Sequence, residues 1–425
     1  MRMGFLIDRM TYFKTLGNLI EICLEAGHEV WLFHLAEADW GSKDYQKVVI
    51  EDFPRFAHGQ PNLAPYRMDE VSGLGKQFKL DALVTHEGYR MLSIAGEEDE
   101  LRRLRESGTR TFALSHFYEF SKQPLEALDH FDCTFFMSEF GRDLMLNLQA
   151  GNNGRAEDLR QRYLARTAVV STPAFEQIGI TTPATARAEF GIPHGKPVVL
   201  FVAPVLSGVT SWRWVAWREP DRRTRIKRAI SARRWRYLPE TLTGPSFKEC
   251  VDAVRAFCDR NGATLVVKSR EKQDDPDYLV AAADVYLDGS AEIYYPVFTT
   301  YRLLAAADLL ITANSMSVIE AVAAGIPAIN IYVPHLEFNR ELAPVHRAYL
   351  DTLLGGKPDS LMNFSGCIWA VDRRAFPRWM DRRRWEDLKV DESRRAKYVD
   401  RFLGITDEPS SRRILREMEK AVAHG

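Results

Sequence analysis

The sequence predicts an α/β protein with two domains, each built around a parallel sheet. The chain of 425 residues is longer than a domain with a single hydrophobic core usually is. Short apolar runs alternate with stretches of helical length, as expected for βαβ units. This alternation stops at a Gly/Pro-rich stretch, 176–196, and then restarts, so the domain boundary is placed there.

Apolar runs define the strands expected in the first domain, 1–185. The run Met3–Ile7 is followed by a polar loop and by a helix that Gly27 can terminate. Further strands are expected in His28–Leu35, Asp81–Gly88, Arg110–His116, Asp132–Ser138 and Thr167–Pro173.

The second domain, 196–390, repeats the pattern and is followed by a charged, helix-rich tail, 391–425. Its strands are expected in Val198–Val202, GATLVVKSR, ADVYLD, ADLLITAN and PAINIYVP, with SVIEAVAAG as a short helix between the last two. Two domains of this kind would face a crevice. Parallel sheets bind ligands at the carboxyl ends of their strands, so the crevice is the expected site.

Composition narrows the class of protein. Hydrophobic residues make up 46% and charged residues 27%, and the net charge of -1 excludes a generally polycationic nucleic-acid binder. The five cysteines are scattered, which indicates reduced thiols and a cytoplasmic protein. Asp8 interrupts the first apolar run too early for a signal peptide, and no apolar run is long enough to span a membrane.

The stretch ADLLITANSMSVIEAVAAGIPAINIYVP resembles the donor-binding signature of the GT-B glycosyltransferase superfamily. The strand order of the second half is also similar to that superfamily, and YVDRFLGITDEPSSRRILREM resembles the tail of the CDP-glycerol glycerophosphotransferases and related bacterial surface-polymer transferases. Those transferases usually show Asp-Tyr-Ser-Ser and a His-Pro pair. This chain has Asn314-Ser315-Met316-Ser317 and Lys268-Ser269-Arg270 instead, which favours a sugar nucleotide over glycerol phosphate. The resemblance implies two Rossmann-like domains.

The polar turn Asn314, Ser315, Met316 and Ser317 has two interpretations. The unpaired N–H groups of a helix start suit a diphosphate, and these small residues would let it approach, as the resemblance implies. Alternatively, one serine caps the helix. Glu320 is ambiguous in the same way: the resemblance implies that it binds a ribose diol, yet Ser317-x-x-Glu320 is also the spacing of a capping box.

Further donor contacts are expected from four residues. Lys268 and Arg270 end a strand, where they could stabilise a departing diphosphate or could simply be solvated. Ser207 and Gly208 stand where similar enzymes have a phosphate loop. No DxD-like pair is placed to bind a metal, so neither a metal nor a cofactor is expected beyond the nucleotide sugar as co-substrate.

An inverting reaction needs a base to deprotonate the acceptor, expected on a loop at a strand end of the first domain. The leading candidates are His86, Glu87 and His116, since histidine has an ordinary pKa near 6.5. Asp8 and Glu139 follow. Each of these could equally be a supporting or surface residue.

The insertion 209–240 is basic and aromatic. Trp212–Tyr237 holds ten Lys/Arg against two acids, a balance of +8, with four tryptophans. It fits an anionic membrane surface or a polyanionic acceptor, with an ordinary packed insertion as the alternative. Asp372–Trp385 is a second such stretch. No nucleic-acid recognition module accompanies either one.

These observations favour a cytoplasmic glycosyltransferase of polysaccharide biosynthesis, peripheral on the inner membrane face. It would move a sugar from a nucleoside diphosphate to a glycan or lipid-linked acceptor. A hydrolysing UDP-sugar 2-epimerase is the first alternative, although its relatives show Asp-Ser-Gly-Gly at the polar turn. A non-catalytic protein that binds a nucleotide or a polyanion is the second.

Overall fold

The computed structural model divides the chain into two compact units. Unit 1 comprises Met1–Gln177, Ile293–Phe298 and Val399–Gly425, and unit 2 comprises Ile178–Glu292 and Thr299–Tyr398. The residues that the structure describes are 1–35, 48–86, 92, 96–97, 99–114, 125–150, 156–204, 221–231, 245–269, 275–290, 292–332 and 357–424.

Unit 1 contains a parallel sheet of seven strands in its described part. The strands are β1 (Arg2–Ile7), β2 (Glu29–Leu35), β3 (Asn62–Tyr66), β4 (Ala82–His86), β5 (Arg110–Leu114), β6 (Cys133–Phe136) and β7 (Thr167–Val169). Their spatial order is β3-β2-β1-β4-β5-β6-β7, and Phe5 of β1 pairs with Leu32 on one side and Val84 on the other. The order reverses between β1 and β4, which makes this gap a topological switch point.

Helices connect these strands. They are α1 (Phe13–Glu25), α2 (Val71–Phe78), α3 (Asp99–Glu106), α4 (Glu139–Ala150) and α5 (Ala156–Leu164). Short 3-10 helices lie at Met10–Tyr12, Ile50–Asp52, Met68–Glu70, Leu125–His130 and Pro173–Gln177.

Unit 2 repeats this design with a parallel sheet of six described strands. The strands are β8 (Val198–Val202), β9 (Thr264–Lys268), β10 (Val285–Leu287), β11 (Leu309–Thr312), β12 (Ala328–Tyr332) and β13 (Ile368–Asp372). The spatial order β10-β9-β8-β11-β12-β13 places the switch point between β8 and β11. The predicted class, two α/β domains with Rossmann-like parallel sheets, is confirmed.

The helices of unit 2 follow the same βαβ logic. They are α6 (Pro183–Glu189), α7 (Arg222–Ser231), α8 (Phe247–Asn261), α9 (Asp277–Ala282), α10 (Thr299–Ala306), α11 (Ser317–Ala323), α12 (Phe376–Asp381) and α13 (Glu392–Tyr398), with a 3-10 helix at Trp385–Leu388. The helix α8 begins with a capping box in which Ser246 and Glu249 satisfy each other's backbone N–H groups.

The predicted separate tail, 391–425, is instead divided between the units. The helix α13 belongs to unit 2, whereas the π-helical turn Val399–Leu403 and α14 (Ser410–Ala423) belong to unit 1. The reason is burial: Ile414 and Met418 of α14 join the apolar cluster that contains Leu16 of α1. Packing removes this apolar face from water, whereas a free tail would leave the face exposed.

Two strands were not predicted from the sequence. The strand β3 contains Pro65, which cannot donate to a ladder and so weakens the strand signal. It forms at the sheet edge, where only one neighbour must be satisfied. The strand β13 lies at the edge of the other sheet.

A close contact at Gly17 gives a test of packing in unit 1. A Cβ atom at Gly17 would lie 2.2 Å from the Cδ2 atom of Tyr295, whose ring also packs on Phe56. Gly17→Ala is therefore expected to lower the free energy of unfolding by about 1–3 kcal/mol, because the ring must move. Urea denaturation measures this.

Gly73→Ala is the matched control. Gly73 also lies in a helix, α2, but a Cβ atom there would meet nothing within 4 Å. Alanine is the better helix former, so we expect a gain of about 0.5–1 kcal/mol. Equal effects of the two substitutions would contradict the packing argument.

Candidate functional site

The carboxyl edge of the sheet in unit 2 gathers most of the predicted donor residues that the structure describes. Lys268 ends β9, the turn that begins at Asn314 follows β11, and both strands flank β8. In parallel sheets these ends meet at one edge, and ligands bind where the strand order reverses. The turn lies at that reversal.

The polar turn is held by its own side chains. Asn314 has a positive φ of 45°, and its N–H donates to Oδ1 of Asn330 at 2.8 Å. The Ser317 N–H lies 3.3 Å from Oγ of Ser315, which is itself buried. These side chains thus fix the backbone of the turn.

Glu320 lies one turn into α11 and is 3% exposed. The Tyr301 hydroxyl donates to its Oε1 at 3.4 Å. Burial first, and the Glu320 carboxylate second, raise the pKa of Tyr301 well above its ordinary value. A buried carboxylate at a switch point is a strong hydrogen-bond acceptor for a polar ligand.

The structure distinguishes the two capping interpretations of this helix. The helix α11 begins at Ser317 with Met316 as its N-cap, and the Met316 side chain makes no cap hydrogen bond. The Oγ atom of Ser315 accepts from the N–H of Ser317, so a serine does satisfy one N–H group of the helix start. Ser317 is the first helical residue rather than the N-cap, so Ser317 and Glu320 do not form a capping box.

Lys268 is neither solvated nor exposed, which corrects that alternative. Its side chain is 7% exposed and its Nζ atom lies 2.6 Å from Oε2 of Glu292, whose side chain is 5% exposed. The Nζ atom is also 3.3 Å from the Ser269 carbonyl oxygen. The ammonium is thus held at the sheet edge by a buried carboxylate.

Five predicted site residues lie outside the described residues: Ser207, Gly208, Arg270, Glu87 and His116. Their roles stay predictions. Sequence reasoning missed Tyr301 and Glu292, which no local motif marks. It assigned Arg373 only to a basic stretch, whereas this side chain is 6% exposed at the carboxyl end of β13.

The corresponding edge in unit 1 carries two predicted base candidates. Asp8 directly follows β1 and His86 ends β4, so they flank the switch point of that sheet. The Tyr66 hydroxyl, at the end of β3, donates a hydrogen bond to Oδ1 of Asp8. The His86 ring packs on Tyr12 with centroids 4.4 Å apart. Glu139, the remaining candidate, begins α4.

Burial shifts the pKa values of Asp8 and His86 in opposite directions. Burial raises the pKa of Asp8 to about 6, against the Tyr66 hydrogen bond and the Arg9 charge, which lower it. Burial, with help from the charges of Arg9 and Lys14, lowers the pKa of His86 to about 3. The ordinary imidazole value assumed from sequence therefore does not hold for His86, and Asp8 is the group that titrates near neutrality.

The raised pKa makes a testable contribution to stability. In the unfolded chain Asp8 ionises near 3.8, whereas in the folded protein it keeps its proton up to about pH 6. This group thus favours folding below pH 4, and that contribution is lost as the pH rises to 6. Two pKa units correspond to roughly 3 kcal/mol.

Asp8→Asn removes this titration and leaves that of His86 in place. The stability of the variant relative to the wild type is expected to rise by roughly 3 kcal/mol between pH 4 and pH 7. Urea titrations at several pH values measure the difference. Parallel stability curves for the two proteins would show that Asp8 has an ordinary pKa.

The basic stretches differ in how they pack. In α7, Arg222, Arg223 and Lys227 are exposed, and the N–H of Thr224 donates to the Asp221 carboxylate at the helix start. The rest of Trp212–Tyr237 lies outside the described residues.

The tryptophans of Asp372–Trp385 pack against the core of unit 2. Trp385 stacks on Phe257 at 5.7 Å, and Trp379 lies under the Arg383 guanidinium at 4.5 Å. These aromatic side chains are therefore part of the fold. No helix in the described ranges is long and apolar enough to cross a membrane.

Comparison with known proteins gives a fold but no family. No protein-family model matches the chain, and no curated protein matches it significantly. Among solved structures, a protein assigned as UDP-N-acetylglucosamine 2-epimerase from Listeria monocytogenes is 10% identical with a TM-score of 0.57, covering 100% of this chain and 97% of the other.

Two further matches have the same character. The wall teichoic acid polymerase TagF is 10% identical with a TM-score of 0.56, covering 100% of this chain and 89% of the other. MnaA from S. aureus, solved with UDP, is 11% identical with a TM-score of 0.54, covering 99% and 97%. At these identities the likeness establishes the fold, and the predicted GT-B fold is confirmed.

Proposed function

We propose that this protein is a glycosyltransferase that moves a sugar from a nucleoside diphosphate to a cell-surface glycan or lipid-linked acceptor. The observation that carries the proposal is Glu320, a buried carboxylate at the switch point of unit 2. A carboxylate can accept hydrogen bonds from both hydroxyls of a ribose. The hydroxyl of Tyr301, on α10, restricts the orientation of this carboxylate.

Unit 2 is assigned the donor. The backbone of the turn Asn314–Ser317 would contact the diphosphate, and Lys268 would stabilise the negative charge that develops on it as the sugar leaves. Ser207, Gly208 and Arg270 are proposed as further contacts. Surface-polymer synthesis by the structural match TagF supports the class of acceptor.

Unit 1 is assigned the base, and among the described residues Asp8 suits that role best. A general base works well when its pKa lies near the working pH, and the pKa of Asp8 is about 6. Asp8 would take the proton of the acceptor hydroxyl while that oxygen bonds to the sugar and the bond to the diphosphate breaks. With a pKa of about 3, His86 stays neutral and is a weak base. Glu87 and His116 remain alternatives.

A panel of nucleotide sugars tests the proposal. The protein is incubated with each donor and with glycan or lipid-linked acceptors, and the products are analysed. We expect one donor to release its nucleoside diphosphate with the sugar joined to an acceptor. Saturable binding with no turnover across the panel would support the non-catalytic alternative instead.

A hydrolysing epimerase is the second candidate. The Listeria protein favours it, since that protein is assigned as a UDP-N-acetylglucosamine 2-epimerase. MnaA, which is solved with UDP, supports a nucleotide ligand for either candidate. The polar turn Asn314–Ser317 departs from the sequence expected for such enzymes. A free epimerised sugar in the same panel would establish this candidate in place of transfer.

The basic insertion is proposed to contact an anionic membrane surface. The exposed cations Arg222, Arg223 and Lys227 lie together on α7, and the insertion also carries four tryptophans. Sedimentation with vesicles containing phosphatidylglycerol tests this contact. If neutral vesicles sediment the protein equally well, the charges are not responsible.

A further inference from the structure

Glu292 is a buried carboxylate that the proposed reaction does not use. Its side chain is 5% exposed, and its Oε2 atom lies 2.6 Å from Nζ of Lys268. Its Oε1 atom is buried and has no hydrogen-bond partner among the described residues. Within the described ranges, the pair thus uses only one of the two carboxylate oxygens.

This arrangement is unusual for an ion pair that serves only stability. Removing two charges from water is costly, and the cost is recovered only when good geometry and further hydrogen bonds satisfy both groups. Buried polar atoms in folded proteins nearly always have partners. An Oε1 atom with no partner in the described part of the chain therefore indicates an arrangement that is completed only in another state of the protein.

The position of the pair indicates what that state is. Lys268 ends β9, and the N–H of Ala203, just after β8, donates to its carbonyl oxygen at 2.9 Å. The turn at Asn314 follows β11, on the other side of β8. Two strand spacings, about 10 Å, separate the two strand ends. A nucleotide whose ribose is held at Glu320 and which extends along the carboxyl edge of the sheet would bring its diphosphate toward Lys268.

We propose that Glu292 is a built-in counter-anion for Lys268 that a nucleoside diphosphate displaces when it binds. The inference rests on the proposed function and identifies Glu292 as a positioning residue of the donor site. Without ligand, Glu292 holds the ammonium at the sheet edge. When the diphosphate arrives, its oxygens replace the carboxylate as the partner of Lys268, and the carboxylate opposes their binding by repulsion.

This exchange predicts that Glu292 weakens binding of the diphosphate. Like charges placed together oppose association, so neutralising Glu292 favours the anionic ligand. In Glu292→Gln the amide oxygen still accepts a hydrogen bond from Lys268. The affinity for the diphosphate is expected to rise by about tenfold, whereas the affinity for the matching nucleoside stays unchanged.

Calorimetric titration with UDP, CDP, GDP and ADP, and with their nucleosides, tests the exchange on the full chain. Asp252→Asn is the matched control, because Asp252 pairs with Lys248 at 2.7 Å on an exposed helix face of the same unit. It should change neither affinity. Glu292→Asp is the second variant, for use if Glu292→Gln does not fold. It keeps the charge but shortens the side chain, so it is expected to bind the diphosphate only slightly more tightly than the wild type.

The outcomes separate the two proposals. Tighter diphosphate binding by folded Glu292→Gln, with nucleoside binding unchanged, supports the exchange. Equal or weaker diphosphate binding overturns it and leaves the ion pair purely structural. If no diphosphate binds the wild type, the proposed function fails. Inorganic pyrophosphate then decides the exchange alone, since it should still bind Glu292→Gln more tightly than the wild type.

Discussion

Asp8→Asn is expected to lower the turnover of the transferase at pH 7 by about 10²–10⁴-fold, the usual contribution of a general base. Asparagine fills the same space at the end of β1 but cannot accept a proton. Affinity for the nucleotide donor should not change, because Asp8 is assigned to the acceptor step. Turnover is measured at saturating donor with the acceptor that the panel identifies.

The pH profile distinguishes a base from a structural carboxyl. Asp8 must be ionised to act, so activity should rise with pH through about 6, the pKa of this group. The Tyr66 hydrogen bond lowers that pKa, so Tyr66→Phe should move the acidic limb to higher pH. His86→Gln should change turnover by less than about tenfold. If His86→Gln loses most of its turnover while Asp8→Asn stays active, His86 rather than Asp8 is the general base.

Glu320→Gln is expected to weaken binding of the donor nucleotide by about 10–100-fold, since a hydrogen bond to a charged group contributes roughly 1.5–3 kcal/mol. Stability should stay near normal, because glutamine has the same shape and its oxygen still accepts from Tyr301. Calorimetric titration gives the affinity, and urea denaturation gives the stability.

Tyr301→Phe is the companion variant. It removes the hydroxyl that orients Glu320 and keeps the carboxylate, so a smaller loss of affinity is expected than in Glu320→Gln. Unchanged donor affinity in Glu320→Gln would mean that this carboxylate only stabilises the fold.

Much of the fold could be predicted because buried parallel strands are continuous apolar runs. The runs that became β1 and β8 are of this kind and are fully buried or nearly so. The strand β3 could not be recognised, since it has only five residues and one of them is Pro65, which weakens the strand signal. The position of α14 in unit 1 was not predicted, because its apolar face packs on α1, which lies almost 400 residues earlier in the chain.

The position of a candidate was predictable where it follows a recognisable strand, as with Asp8, His86, Lys268 and the turn at Asn314, whereas the roles of these residues stay predictions. Partners from elsewhere were not predictable. Tyr66 lies on the unrecognised strand, and Glu292 lies 24 positions after Lys268 in the chain without forming a motif with it. The pKa values depend on burial in the folded unit, so the sequence could not show that Asp8 and His86 shift in opposite directions.

The central claim, that Glu320 binds the ribose of a nucleotide, is tested most directly by a binding cycle. The preferred ribonucleoside diphosphate and its 2′-deoxy analogue are each titrated into the wild type and into Glu320→Gln. We expect the wild type to lose about tenfold in affinity for the deoxy ligand and the variant to lose far less, because the partner of the hydroxyl is already gone. The same loss in both proteins would contradict the contact.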